Sequence, residues 1–117
     1  MTEATRIFHN PRCSKSRQAL ALLEQQGIQP EVVRYLDTPP TAAELAQLLA
    51  MLGLSARDLM RKKEAPYKAL ALDNPALTEA ELIEAMVNNP VLIERPIVLH
   101  DGKAVVGRPP ENVLDIL

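Results

Sequence analysis

Cysteine and aromatic residues are scarce in this sequence, and each scarcity excludes a class of protein. The 117 residues include one cysteine, one phenylalanine, two tyrosines and no tryptophan. A single cysteine cannot form a disulfide within the chain, which agrees with a reducing compartment. So few aromatic rings offer little surface on which nucleic-acid bases could stack. The composition therefore predicts neither a disulfide-rich secreted protein nor a base-stacking one.

An excess of charge of one sign is also absent. The net charge is −2 at pH 7, whereas domains that bind nucleic acid through its phosphates are usually basic. No apolar run approaches the roughly 20 residues of a membrane span, and the first residues lack the apolar core of a signal peptide. We therefore expect a cytoplasmic protein that binds neither nucleic acid nor membrane.

Metal and cofactor signatures are missing as well. His9, His100 and Cys13 do not have the clustered spacing of zinc ligands. No glycine-rich loop that could cradle a phosphate is present. We therefore expect a protein without a bound metal or cofactor.

The order of local patterns predicts an α/β fold. Residues 6–9 and 31–35 are predicted strands on either side of a helix at 14–26, and this linker is long enough for the strands to run parallel. The middle of the chain is predicted to be helical, with a short helical turn at 55–63 before a loop around Pro66. Two pairs have the spacing of a capping box, which marks a helix start: Thr41 with Glu44, and Thr78 with Glu81.

The last part of the chain returns to strand patterns. Asp101-Gly102 lies between two β-branched runs and predicts a hairpin, because glycine tolerates the positive φ of a two-residue turn. Pro109 and Pro110 can open a final helix. We therefore expect one domain over residues 1–117, with a mixed four-stranded sheet flanked by helices and a helical insertion in the middle.

The lone cysteine, Cys13, lies where the first helix is predicted to begin. A free cysteine is commonly a small buried hydrophobe, but Cys13 follows the polar turn formed by residues 10–12 rather than an apolar stripe. Unpaired N–H groups and about half a positive charge are found at a helix N-terminus. Such a site favours thiolate over thiol and can hold an oxyanion. At pH 7 an ordinary thiol is only roughly 3% ionised, so this activation matters.

Five segments together resemble the glutaredoxin-dependent arsenate reductases, which have a thioredoxin-like fold. They follow the order of that family over essentially the whole chain, and the resemblance is greatest to its short, single-cysteine subgroup. The segments are HNPRCSKSR, YLDTPPT, LMRKKEAPYKAL, NPVLIERPIV and GRPPENVLDIL. The resemblance implies that Cys13 attacks arsenate and that Arg61, Arg95 and Arg108 bind the oxyanion. Pro96 matches a proline that thioredoxin-like folds hold in cis.

Other residues of the first segment acquire roles through the same resemblance. His9 and Ser16 match residues that tune the cysteine, and Asn10 and Arg17 belong to the same substrate-binding loop. Guanidinium groups suit arsenate because they stay protonated and bind oxyanions through two hydrogen bonds. The resemblance implies glutathione as the thiol co-substrate, glutaredoxin as a partner and arsenic detoxification as the activity. We expect a monomer.

Two alternatives remain open from the sequence. The first is a thiol redox protein that acts on another oxyanion or on mixed disulfides, because the same activated sulfur would serve. The second is a non-enzymatic regulator of the same fold that binds RNA polymerase. Such regulators often carry a Cys-x-x-Cys switch, and Ser16 occupies the place of the second cysteine here.

Overall fold

The computed structural model describes residues 5–117, and the chain divides into two compact units. One unit contains the described residues up to Thr38 together with Arg95–Leu117, and the other is Pro39–Glu94. The single domain expected over 1–117 stays a prediction. The prediction that the first residues form no signal peptide includes residues 1–4, and these four residues lie outside the described range.

A mixed four-stranded sheet forms the frame of the first unit. Its strands are β1 (Thr5–Phe8), β2 (Glu31–Val33), β3 (Ile97–His100) and β4 (Lys103–Val106). Their order in the sheet is β2-β1-β3-β4. Strands β1 and β2 run parallel, while β3 runs antiparallel to both β1 and β4. This confirms the predicted α/β class and the mixed sheet.

Strand β2 is shorter than the predicted segment 31–35. It ends at Val33, because the carbonyl oxygen of Arg34 accepts hydrogen bonds from the N–H groups of Asp37 and Thr38, each at 2.9 Å. A carbonyl used in this way turns the chain and leaves the sheet ladder. The turn also brings the side chains of Arg34 and Asp37 together at this end of the sheet.

Two helices pack against the sheet of the first unit. Helix α1 (Ser14–Gln25) confirms the predicted helix to within one residue. The C-terminal segment Pro110–Ile116 is a 3-10 helix, so the final helix was predicted correctly in place but not in type. The N–H of Asn112 donates to Pro109 O at 3.0 Å and the N–H of Leu117 donates to Leu114 O at 3.4 Å, which is the three-residue spacing of a 3-10 helix. The shared core consists of Ile7, Ala19, Leu23, Val98 and Val113.

The hairpin predicted at Asp101-Gly102 is confirmed. Asp101 has φ of 52° and Gly102 has φ of 73°, and a two-residue type I′ turn requires positive φ at both of these positions. The β3–β4 pairing runs on from this turn with His100 opposite Lys103 and Ile97 opposite Val106.

The second unit is helical. It contains α2 (Ala42–Leu52), α3 (Ala56–Leu59), α4 (Ala65–Ala69), α5 (Glu79–Asn88) and a 3-10 turn at Pro90–Leu92. Both predicted capping boxes are confirmed, and Ser55 with Asp58 forms a third. The predicted loop around Pro66 was wrong, because this segment forms α4. Proline is tolerated in the first turn of a helix, where its missing N–H is not needed.

Candidate active site

Cys13 is the residue that caps the N-terminus of α1. Its backbone is extended, with φ of −92° and ψ of 123°, and its carbonyl oxygen accepts the first helical bond from Arg17 N–H at 3.0 Å. The side chain makes no capping bond and is partly accessible. The sulfur therefore lies at the positive end of the helix, where the first N–H groups lack partners within the helix.

The ionisation of the thiol follows from these surroundings. Partial burial raises the pKa of Cys13, but hydrogen bonds from the backbone N–H groups of Ser16 and Lys15 and the guanidinium of Arg95 lower it. The net effect places the pKa below its ordinary value. Arg95 acts both through its charge and through a side-chain hydrogen bond to the sulfur. The site therefore favours a thiolate nucleophile.

Arg95 reaches Cys13 because of the sheet order. It lies two residues before β3, and β3 pairs with β1, whose last residue leads into the Cys13 loop. The Nε and Nη1 atoms of Arg95 are buried. Burial restricts the rotation of this guanidinium. It can therefore bind an anion at the sulfur with little loss of side-chain conformational entropy.

Arg108 lies beside Arg95 in the same unit. Its side chain is exposed, and its Nη1 atom lies 3.5 Å from the carbonyl oxygen of Arg95. The peptide bonds Arg95–Pro96 and Arg108–Pro109 are both cis. The first is the geometry that the resemblance implies for Pro96, whereas the second was not foreseen.

A close backbone approach joins the two arginine segments. Gly107 N–H donates to Pro96 O at 2.8 Å. A Cβ atom at position 107 would lie 2.9 Å from Pro96 Cγ and 3.2 Å from Val113 Cγ1. Only glycine fits here without displacing its neighbours, so Gly107 keeps the segments that carry Arg95 and Arg108 together.

His9 and Ser16 form a buried pair beneath the Cys13 loop. His9 Nδ1 and Ser16 Oγ are hydrogen-bonded at 2.7 Å, and the Ser16 hydroxyl also accepts the N–H of Asn10 at 3.0 Å. The Ser16 side chain thus links the end of β1 to the first turn of α1. Ser16 acts on the thiol through its backbone N–H group, while its hydroxyl fixes the loop.

The surroundings of His9 disfavour protonation of its imidazole ring. Burial lowers the pKa of His9, and the positive charges of Arg34 and Arg17 lower it further. His9 therefore contributes no positive charge at pH 7, and the groups that lower the pKa of Cys13 are Arg95 and the N–H groups of the helix. Sequence reasoning gave Arg34 no role. The signal was its position directly after β2, which is parallel to β1 and therefore ends at the same edge of the sheet.

We expect Ser16→Ala to destabilise the protein by about 1–3 kcal/mol, because it leaves the N–H of Asn10 and one nitrogen of His9 without their hydroxyl partner in a buried place. Urea unfolding measures this difference. The matched control is Ser14→Ala, since Ser14 is exposed on the same helix turn and its loss should change stability by less than about 0.5 kcal/mol. Equal stability of the two variants would contradict this role of the Ser16 hydroxyl.

Asn10 and Arg17 order the loop that carries the thiol. Asn10 Oδ1 accepts the N–H of Arg12 at 3.0 Å, and its carbonyl oxygen accepts the N–H of Cys13 at 3.0 Å. Arg17 Nη1 donates to Pro11 O at 3.4 Å. These contacts fix the backbone next to the sulfur, and substrate contact by either side chain stays a prediction.

Arg61, the third arginine expected at the oxyanion site, belongs to the second unit. Its Nη1 atom lies 2.6 Å from Glu64 Oε1, and its Nε atom lies 3.8 Å from Glu94 Oε1. Its backbone N–H donates to Leu92 O at 2.7 Å. The part of Arg61 in oxyanion binding stays a prediction from the resemblance.

The described residues contain neither a cluster of metal ligands nor a helix that could span a membrane. In residues 5–117, no three or more His, Cys, Asp or Glu side chains are grouped so that they could hold a metal ion. Over the same range, no helix has both the length and the apolar character needed to cross a membrane.

Comparison with known proteins places the chain in a family. The model of the ArsC family matches residues 8–116. The chain belongs to the ArsC family. As an ArsC-family protein it has the thioredoxin-like α/β fold of its structural neighbours, as the sequence segments predicted.

Three known proteins are similar in sequence to this chain over nearly its whole length. An arsenate reductase of Neisseria meningitidis serogroup A is 58% identical over 96% of this chain and 97% of its own length. The uncharacterised protein YfgD of Escherichia coli strain K12 is 58% identical over 100% of this chain and 99% of its own. The structure of an arsenate reductase from Vibrio cholerae matches with a TM-score of 0.96 at 52% identity and covers 100% of both chains.

Proposed function

We propose that this ArsC-family protein is an arsenate reductase whose nucleophile is Cys13. The observation that carries the proposal is the surroundings of the sulfur. It accepts hydrogen bonds from two backbone N–H groups of the helix and from the guanidinium of Arg95. The similarity over nearly the full chain to a protein named arsenate reductase supports the substrate.

The first step is attack of the Cys13 thiolate on arsenic. A sulfur–arsenic bond forms, an arsenic–oxygen bond breaks, and the oxygen leaves as hydroxide or, with a proton, as water. The oxidation state of arsenic does not change in this step. Because two anions meet, positive charge is needed at the oxyanion, and Arg95 and Arg108 supply it from one side of the fold. The family resemblance implies that Arg61 is a third arginine that binds the oxyanion.

Reduction of the adduct needs two electrons from thiols. This chain has one cysteine, so the thiols must come from other molecules. We propose glutathione as the co-substrate and glutaredoxin as the protein partner. In sum, one arsenate and two thiols give arsenite, water and one disulfide, and neither a bound cofactor nor a metal is required. The cytoplasm, where thiols are kept reduced, suits this chemistry, and we propose a monomer.

A coupled assay tests the proposal. Purified protein with glutathione, glutaredoxin, glutathione reductase and NADPH should consume NADPH only when arsenate is added. Phosphate is the matched control, because it has the shape and charge of arsenate but is not reduced by thiols. Absence of turnover at saturating arsenate would reject the enzymatic assignment.

The coupled assay with mixed disulfides in place of arsenate, together with a pull-down, separates the two alternatives. Turnover with mixed disulfides but not with arsenate would favour a general thiol redox protein. Capture of RNA polymerase together with no turnover would favour the regulator.

A further inference from the structure

A polar pocket of about 210 Å³ opens beside the loop that carries Cys13. One wall is the loop after β1 and includes Asn10 and Arg12. The other wall is the turn after β2 and includes Arg34 and Asp37, and His9 lies between the two. The mechanism proposed above gives this pocket no ligand.

The pocket exists because of the parallel β1–β2 pairing. Parallel strands end at the same edge of a sheet, so the loops that follow them are neighbours. After Val33, the turn closed on the Arg34 carbonyl folds the side chains of Arg34 and Asp37 toward each other.

The charges around the pocket are of both signs. Arg12 and Arg34 are cations, and Asp37 is a carboxylate. Arg34 Nε lies 3.7 Å from Asp37 Oδ2, and the two side chains are 62% and 70% exposed. An exposed pair of this kind contributes at most about 1 kcal/mol, so a ligand that offers a better partner to each group can replace it. The positive charge of Arg34 also lowers the pKa of His9, which lines the same pocket.

The geometry points to this pocket as the site for the γ-glutamyl end of glutathione, and this inference rests on the proposed function. A γ-glutamyl group carries a free α-carboxylate and a free α-ammonium on one carbon. The carboxylate matches the guanidinium groups of Arg34 and Arg12, which can bind it through two parallel bonds. The ammonium matches Asp37. The glycyl end of glutathione has a carboxylate but no ammonium, so it leaves Asp37 without a partner.

The reach of the peptide suits the reaction. Arg12 directly precedes Cys13, and consecutive Cα atoms are about 3.8 Å apart. The γ-glutamyl arm and the cysteine of glutathione together span about two extended residues, roughly 7 Å. A glutathione held by its head in the pocket that Arg12 and Arg34 line therefore extends its cysteine toward the loop that carries Cys13.

A second arsenate is a poorer occupant. Arsenate carries no cationic group for Asp37, and the Asp37 carboxylate would repel a dianion from the space beside Arg34. The pairing of charges therefore selects a zwitterion over a simple oxyanion.

The test is an NMR titration of the wild-type protein with S-methylglutathione, whose blocked sulfur cannot react. Saturable shifts should centre on residues 9–12 and 34–37. Arg34→Gln and Asp37→Asn should each weaken binding by about tenfold, the loss of one charge-assisted contact. N-acetyl-S-methylcysteinylglycine, which lacks the γ-glutamyl group and has no free ammonium, should cause no saturable shifts.

The matched control is a second exposed pair in the same unit. Arg6 Nε lies 3.3 Å from Glu31 Oε2, with side chains 43% and 59% exposed. Arg6→Gln and Glu31→Gln should leave binding of S-methylglutathione unchanged.

Three results would overturn the inference: no saturable shifts in the wild type, equal weakening by the control variants, or equal binding of the ligand without a γ-glutamyl group. The titration contains no arsenate, so its outcome does not depend on the outcome of the coupled assay. Turnover of arsenate without this binding rejects the pocket alone, whereas binding without turnover rejects the proposed reductase.

Discussion

Cys13→Ser should reduce arsenate-dependent NADPH consumption to the rate measured without enzyme. A serine hydroxyl stays protonated near neutral pH, and neither the helix N-terminus nor Arg95 can ionise it as they ionise a thiol. No other cysteine in this chain can replace the nucleophile. The coupled assay with arsenate measures the loss.

The stability of Cys13→Ser shows whether a loss of activity could come from misfolding. Cys13 makes no capping bond to α1, whereas serine is among the preferred N-cap residues. The free energy of unfolding of Cys13→Ser should therefore equal that of the wild type or exceed it by about 1 kcal/mol. Urea unfolding measures it. Arsenate turnover by the folded variant above background would contradict the assignment of Cys13 as nucleophile.

Arg95→Gln should lower kcat/KM for arsenate by about 10²-fold, the usual effect of removing one donor that stabilises an oxyanion. It should also raise the pKa of the Cys13 thiol, because both the charge of Arg95 and its hydrogen bond to the sulfur are lost. Steady-state kinetics gives the first effect, and the pH dependence of alkylation by iodoacetamide gives the second. The arsenate effect should exceed the alkylation effect, since the reagent is neutral and needs no oxyanion site.

Arg108→Gln is the matched comparison. Its guanidinium lies next to the Arg95 carbonyl oxygen but is not among the groups that lower the pKa of Cys13. This variant should weaken the use of arsenate and leave the alkylation profile unchanged. If both variants shifted the thiol pKa equally, or if neither affected arsenate more than iodoacetamide, the roles given to the two arginines would be wrong.

The parts of the fold that were predictable depend on local signals. A capping box lies within four residues, a two-residue hairpin turn needs only Asp101-Gly102, and α1 shows its start and its apolar stripe within twelve residues. The wrong details are places where local preference is weak. Pro66 permits a helix as readily as a loop, and the end of β2 is decided by a turn at the Arg34 carbonyl rather than by strand propensity.

The candidate site divides in the same way. The position of Cys13 at a helix start follows from the sequence alone, because helix N-termini have local signatures. The contact between Arg95 and the sulfur depends on the pairing of β1 with β3, so only the resemblance could suggest it. Arg34 and Asp37 resemble ordinary solvated charges in sequence. Their relation to Arg12 arises only when two parallel strands end at one edge of the sheet.

The most direct test of the central claim is the alkylation rate of wild-type Cys13 against pH. The helix N–H groups and Arg95 favour the thiolate, so the rate should reach its plateau at a pH below that of an ordinary cysteine, whose pKa is about 8.5. A midpoint at or above that value would show an unactivated thiol and contradict the account.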